Sequence, residues 1–207
     1  MIRVDERQYL ASRITNPLLR EAFLKVDRRD FLPEGVRHLA YESVDEPLPI
    51  WEGATTTALS LGVFMLDSLE LSPGLRVLEV GTGSGYYTAL LAEVVGEVVS
   101  VEISEGLYRV AKERLSRYQN VRLVLGDGSL GYEEGKPYDR VIVWAASPTL
   151  PCKPFEQLKE GGVMVVPIGG DRRQRLYKVR KVDGRPVMTE LGEVVFVKMR
   201  GVYGFYD

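Results

Sequence analysis

Leu75-Arg76-Val77-Leu78-Glu79-Val80-Gly81-Thr82-Gly83-Ser84-Gly85-Tyr86 decides the fold. An apolar strand, Leu75–Val80, runs into a turn with glycine at every second position. An apolar periodicity of helical spacing follows over Ser84–Val95. Glycine lets the backbone turn tightly and approach a ligand closely, and the helix start behind it carries partial positive charge and free N–H groups. Outward from this unit the chain keeps alternating. Strands are predicted at Glu97–Val101, Val121–Leu125, Arg140–Ala145 and Val163–Ile168, with helices at Ser104–Tyr118 and Lys153–Lys159. Arg140–Ala145 is apolar enough to be buried on both faces. This rhythm predicts an α/β, Rossmann-like fold with a mainly parallel sheet and helices on both faces.

Both ends of the chain read differently. Arg175–Val182 and Pro186–Leu191 flank Asp183-Gly184, a hairpin turn, and Glu193–Met199 reads as one more strand, so antiparallel strands should line one edge of the sheet. Near the start, Asn16-Pro17 opens a helix, with Asn as cap and Pro in the first turn. Pro33, Gly35, Pro47 and Pro49 then break the chain into turns, and 57–70 resumes as a helix. The expected organisation is one domain over 1–207, with a helical and loop cap at 1–57 and the Rossmann-like core at 58–207.

Composition narrows the function. The net charge is -2, so no global positive field recruits nucleic acid. One cysteine forbids an intrachain disulfide, and with a single histidine a Cys/His metal site lacks raw material, so no metal is expected. No apolar run approaches the roughly 20 residues that span a bilayer, and MIRVDERQYL lacks a signal-peptide core. A cytoplasmic protein without membrane partners, a monomer rather than an oligomer, is the expectation. Two asparagines and four glutamines beside many charges suit a thermophilic source.

The turn admits several ligands, and its neighbours choose among them. A dinucleotide fingerprint needs glycine where Tyr86 stands, and no lysine follows Gly85 as in a phosphate-binding loop. Glu79, just inside the strand end, suits a cofactor with an ammonium group and disfavours a diphosphate. Glu102 ends the next strand and can accept from both ribose hydroxyls. Asp127, in Gly126-Asp127-Gly128 after the third strand, can accept from an adenine amino group. Three acids after three consecutive parallel strands lie at the carboxyl edge, where open α/β sheets bind ligands. The pattern points to S-adenosyl-L-methionine.

Glu79–Tyr86 resembles the first motif of protein-L-isoaspartate O-methyltransferases, in which GTGSGY is characteristic. The resemblance extends to Val26–Pro33, to Ala40-Tyr41 with Asp45–Ile50, and to Asn120-Val121, Gly126–Gly128, Tyr138–Ala146, Leu158–Gly169 and Phe196-Val197. It implies a class I methyltransferase fold, a mainly parallel seven-stranded sheet with antiparallel edge strands and an N-terminal helical cap, and adds Thr82, Ile103 and Gly128 to a cofactor set of Glu79, Gly81, Gly83, Gly85, Glu102 and Asp127. The family's G-Q/A-T-I-S motif reads Gly53-Ala54-Thr55-Thr56-Thr57 here. Thr55 matches the family threonine, and Thr57 replaces the active-site serine while keeping the hydroxyl. Thr56 replaces isoleucine and Leu59 replaces a frequent proline. The resemblance implies Thr57 and Thr55 as catalytic residues and isoaspartyl-containing proteins and peptides as partners. The acceptor would be the free α-carboxylate of the L-isoaspartyl residue, bound in an extended peptide between 45–57 and the edge near Pro148–Pro151 and Ile168.

Two rivals keep the same fold: methylation of another acceptor, RNA or a small molecule, and a cofactor-binding module without isoaspartyl activity. Against an exocyclic-amine nucleic-acid enzyme, Trp144-Ala145-Ala146-Ser147 stands where D/N-P-P-Y/F would be. Pro151-Cys152 lies beyond the strand end and lacks the acidic neighbour of a cytosine-C5 nucleophile. A nicotinamide oxidoreductase is disfavoured by Tyr86 and by the lack of a proton-transfer pair.

Overall fold

The computed structural model describes residues 5–206. Helices α1 (Glu6–Arg13) and α2 (Pro17–Lys25) open it, followed by short helical turns and a two-stranded hairpin, β1 (Leu48–Pro49) and β2 (Thr55–Thr56). The rest is α3 (Leu59–Asp67), β3 (Arg76–Val80), α4 (Tyr86–Val94), β4 (Glu97–Glu102), α5 (Glu105–Arg114), β5 (Val121–Leu125), β6 (Tyr138–Val143), α6 (Cys152–Glu156), β7 (Leu158–Gly169), β8 (Gln174–Val182) and β9 (Arg185–Val194). The main sheet has seven strands in the order β5-β4-β3-β6-β7-β8-β9. β5, β4, β3, β6 and β7 are parallel, and β8 and β9 add antiparallel. The predicted fold class is the observed one.

The start and stop signals act as their chemistry dictates. Asn16 accepts from the Leu18 and Leu19 N–H groups, and Pro17 opens α2. Ser104 accepts from Leu107 N to cap α5. Asp183 and Gly184 both take positive φ, 51° and 73°, the conformation of a two-residue hairpin turn whose twist matches its strands. Alternate strand residues feed opposite layers. Val77, Val98, Ile142 and Val165 pack under α2, α3 and α4 with Leu19, Phe23, Leu66 and Leu90. Leu78, Val99, Val141 and Met164 pack on the other face with Tyr138 and Phe155. Each such side chain, fully buried, stabilises the fold by roughly 1.5–3 kcal/mol in transfer terms.

Several expected boundaries shift. The helix expected from Ser84 begins at Tyr86, since Gly85 takes the left-handed conformation as its cap. Ser104–Tyr118 stops being helical at Arg114, 57–70 contracts to Leu59–Asp67, and Lys153–Lys159 becomes Cys152–Glu156 because Leu158 already begins β7. The separate strand expected over Glu193–Met199 does not form. β9 runs on from Arg185 to Val194, absorbing Leu191 at an irregularity opposite Leu176/Tyr177, with Gly192 at φ 146°. Beyond Val194 the chain leaves the ladder. Phe196 N–H donates to Gln174 Oε1 at 2.6 Å and Gln174 Nε2 donates to Phe196 O at 2.9 Å, so a side chain stands where a strand partner would. Val197 and Met199 instead bond to Ala146 and draw the segment across the end of β6.

The sheet's strand order reverses direction at β3, with β4 on one side and β6 on the other. That switch point opens a crevice at the carboxyl ends, the general place for a ligand in such sheets. The β1–β2 hairpin is held over it by Leu48 and Ile50, which pack with Leu32, Ala40 and Leu107 of α5.

Candidate active site

Gly81, Gly83 and Gly85 have φ of 94°, 56° and 90°. Gly85 has a second reason to lack a side chain: a Cβ would stand 3.0 Å from Leu115 Cδ1. Three of the turn's N–H groups are already committed. Gly81 N donates to Val101 O, Gly85 N to Thr82 O, and Gly83 N to Glu102 Oε1 at 2.9 Å. A phosphate-binding loop keeps such donors free for the anion. Here one of them holds the Glu102 carboxylate, so the turn presents an acceptor to a ligand in place of a free donor, and Lys198 and Arg200 line the same crevice.

Glu102 is the acid at the crevice. Its Oε1 accepts from Gly83 N and its Oε2 from Ser104 N, each at 2.9 Å. An ionised carboxylate offers about four acceptor positions, so two remain for ligand hydroxyls. Glu79 stands differently. It is fully buried behind the turn and lines no part of the crevice. Thr88 Oγ1 and Ser100 Oγ donate to its Oε1, and Trp144 Nε1 donates to its Oε2 at 3.0 Å. Burial pushes its pKa up from 4.5 to about 7 against the pull of these three donors, and the Glu102 charge adds to the rise. The direct ammonium contact expected of Glu79 therefore has no path in this structure, because neither oxygen faces the crevice.

The crevice is lined by Gly81, Thr82, Gly83, Ser84, Glu102 and Ile103 on the sheet side, and by Ile50, Ala54 and Thr55–Thr57 on the hairpin side. The structure thus brings together Thr55, Thr57, Gly81, Thr82, Gly83, Glu102 and Ile103. It does not bring in Gly85, Asp127 or Gly128. Asp127 is occupied elsewhere: Oδ1 accepts from Ser129 N and Oγ, and Oδ2 accepts from Val202 N at 2.8 Å. By the same count one acceptor position remains on Asp127, but the residue lines no part of the crevice and the C-terminal segment is anchored on it. Gly128 packs on Val80, 2.6 Å from where its Cβ would be.

Thr55 is exposed, Thr56 buried and Thr57 half-buried, the alternation of an extended segment. Thr57 is not a helix cap: α3 is preceded by Ala58, and no side chain caps it. A second groove lies on the far side of this segment, lined by Asp45, Pro47, Ala58, Leu61, Val195 and Phe196. The two hollows share Thr55, Thr56, Thr57, Trp144 and Val197. The wall opposite the hairpin is therefore 195–197, in place of the expected Pro148–Pro151 and Ile168. Sequence reasoning also missed Tyr87 and Trp144. Tyr86, which it singled out, is buried against Phe31 with an unpartnered hydroxyl, whereas Tyr87, about 100° around the helix, faces the crevice. Among the described residues no group of three metal-ligating side chains occurs, and no helix is long and apolar enough to cross a membrane.

Residues 6–202 match the family described as protein-L-isoaspartate(D-aspartate) O-methyltransferase. A protein-L-isoaspartate O-methyltransferase of Dictyoglomus turgidum is 47% identical over 189 residues, 90% of this chain and 85% of its own length. One from Archaeoglobus fulgidus is 44% identical, covering 97% and 96%. A solved protein-L-isoaspartate O-methyltransferase aligns with TM-score 0.86 at 33% identity, over 96% of this chain and 67% of that one. A Plasmodium falciparum structure described with the same activity, in complex with S-adenosyl-L-homocysteine, aligns with TM-score 0.81 at 25% identity, over 95% and 98%. With the glycine turn, the acid at the end of β4 and the threonine hairpin in one crevice, and likeness of this extent in sequence and fold, the chain belongs to the protein-L-isoaspartate (D-aspartate) O-methyltransferase family.

Proposed function

We propose that the chain transfers a methyl group from S-adenosyl-L-methionine to the free α-carboxylate of L-isoaspartyl residues in damaged proteins and peptides, the step that initiates their repair. The observation that carries this reading is the pair of hollows meeting across Thr55–Thr57. One has the turn and acid of a cofactor site, the other is an open groove for a peptide, and a hydroxyl-bearing segment stands between them.

The donor set suits the cofactor. Glu102 has acceptor positions left for two ribose hydroxyls, while Ile50, Ile103 and Leu107 offer an apolar wall to a base. When bound, S-adenosyl-L-methionine supplies an electrophilic methyl on a sulfonium. The protein's own work is positional. A free α-carboxyl ordinarily titrates near pH 3.3–3.7, roughly, and is ionised at neutral pH, so no general base is required. Thr57 donates a hydrogen bond to one carboxylate oxygen and turns the other toward the methyl, and orientation of this kind can remove a large part of the activation barrier. Trp144 and Val197, shared by both hollows, border the junction. A junction dried by the two bound ligands keeps the attraction between anion and cation large, which favours their mutual neutralisation.

Labelled-methyl transfer to an isoaspartyl peptide beside its aspartyl twin tests the reading. Transfer to the isoaspartyl form alone is expected. Equal labelling of both, or none with cofactor binding intact, overturns it. Thr57→Ala should lower turnover at least tenfold, about 1.4 kcal/mol, with cofactor affinity unchanged, and Thr57→Ser should restore it. Unchanged turnover in Thr57→Ala removes the residue from the mechanism. The proposal includes a cytoplasmic monomer, checked by light scattering for its mass, and a thermophilic source, supported by the scarcity of amides and checked by a melting temperature above the mesophile range of about 45–65 °C.

A further inference from the structure

Among the described residues no group engages the Thr57 hydroxyl, so its direction is set through the backbone that carries it. That backbone is gripped. Tyr87 Oη donates to Thr57 O at 2.8 Å and lies 3.3 Å from Ala58 O. The Arg28 guanidinium, fully buried and without a carboxylate partner among the described residues, reaches the same Thr57 carbonyl at 3.5 Å.

Tyr87 is itself held on both faces. Its ring stacks on the Trp144 indole, centroids 4.6 Å apart and planes 23° from parallel. On the other side lies Gly62 of α3, where a Cβ would come within 2.2 Å of Tyr87 Cζ. The glycine is what lets the ring in. Trp144 in turn is anchored by its indole N–H on Glu79. A continuous chain of contacts therefore runs from the acid behind the cofactor turn, through two stacked rings, to the threonine between the two hollows. Tyr87 also sits in the first turn of α4, the helix that leaves the glycine turn. Cofactor turn and Thr57 hydroxyl are thereby referenced to one rigid body.

We propose that Tyr87 is a positioning residue for methyl transfer: its hydroxyl fixes the Thr57 peptide plane, and so the aim of the Thr57 hydroxyl at the acceptor carboxylate. This rests on the function proposed above. Tyr87 touches neither reacting atom. Burial raises its pKa to about 12, so it remains a donor at every working pH.

The test is a double-mutant cycle between Tyr87 and Thr57 in the full-length protein, read as methyl transfer to an isoaspartyl peptide. Tyr87→Phe keeps the ring, the stack and the seat on Gly62 and removes the hydroxyl's bonds to the Thr57 and Ala58 carbonyls. It should lower kcat about tenfold while the Kd for S-adenosyl-L-homocysteine moves less than about twofold. In a Thr57→Ala background the same substitution should cost nothing further, because no hydroxyl remains to be aimed. A residue that merely supports the fold would give additive losses and weaken cofactor binding as well. Gly62→Ala, whose Cβ would clash with Tyr87 Cζ and Oη and so drive the hydroxyl off the Thr57 carbonyl, should reproduce the Tyr87→Phe loss, again only when Thr57 is present. Full turnover in Tyr87→Phe, or additivity in the cycle, overturns the assignment of Tyr87 alone. Absence of isoaspartyl transfer by the wild type overturns the proposed function and this inference with it.

Discussion

Replacing Glu79 by glutamine should change the pH dependence of stability in a direction the structure dictates. The side chain is fully buried, and burial lifts its pKa from 4.5 to about 7 although Thr88, Ser100 and Trp144 donate to it. In the unfolded chain the group returns to its ordinary value. The folded state therefore holds the proton more tightly. Its contribution is fully present below about pH 4.5 and is lost as pH rises through about 7. The gap between the two values corresponds to about 3 kcal/mol, a large share of a typical net stability of about 5–15 kcal/mol. Glutamine keeps the shape, can accept from the Trp144 indole, and can turn its amide toward the Thr88 and Ser100 oxygens. It carries no charge at any pH.

Urea unfolding without cofactor, at steps from about pH 4.5 to 8, measures this for wild type and Glu79→Gln. Taking the difference cancels the other titrating groups. The variant should gain on wild type as pH rises, by about 3 kcal/mol across the range. A constant offset would refute the buried, high-pKa carboxyl. Cofactor binding should mirror the effect. A sulfonium cation in the crevice favours ionised Glu79, so in wild type S-adenosyl-L-methionine should bind more tightly as pH passes about 7. S-adenosyl-L-homocysteine, which lacks that charge, should follow pH less, and Glu79→Gln should abolish the difference.

Two further substitutions separate roles among the acids. Glu102→Ala removes charge-assisted acceptors worth roughly 1.5–3 kcal/mol each and should weaken cofactor binding at least tenfold by calorimetry; a change under about twofold would take Glu102 out of the cofactor site. Asp127→Ala removes a cap and the anchor of Val202, so it should cost about 1–2 kcal/mol in urea and speed hydrogen exchange at 201–204. Lost cofactor affinity with stability intact would instead restore Asp127 as the adenine acceptor.

What the sequence disclosed about this site was local, and what it concealed was long-range. The strand, turn and helix around Gly81–Gly85 lie within about three residues of their own causes, and so do the Asn16 and Ser104 caps and the Asp183-Gly184 turn. Each followed from backbone preference and hydrogen-bonding chemistry between near neighbours. Glu102 was legible because a parallel strand delivers its last residue to the ligand edge wherever the rest of the chain goes. Asp127 shares that logic, but its strand-end position does not show that Val202, 75 residues later, returns to bond its Oδ2. The strand expected beyond Val194 was lost the same way, to a glutamine 22 residues earlier that satisfies both backbone groups of Phe196.

Tyr87 is the instructive case. The helix period alone puts Tyr86 and Tyr87 on different faces but does not say which face meets the crevice. That is decided by Gly62, whose missing side chain makes room on α3, and by Trp144 at the end of β6, 57 residues further on. Glu79 was read as a ligand contact because strand-end acids usually are. The structure moves it one layer back, where it holds the indole that holds the tyrosine that holds Thr57. An acid so placed acts on the reaction through geometry and through its charge state. For that reason the pH behaviour of Glu79 and the coupling of Tyr87 to Thr57 are two measurements of one device: if Glu79→Gln leaves the Tyr87–Thr57 coupling intact, the chain of contacts is mechanical, and if the coupling weakens with it, the carboxylate's charge is part of what holds the rings in place.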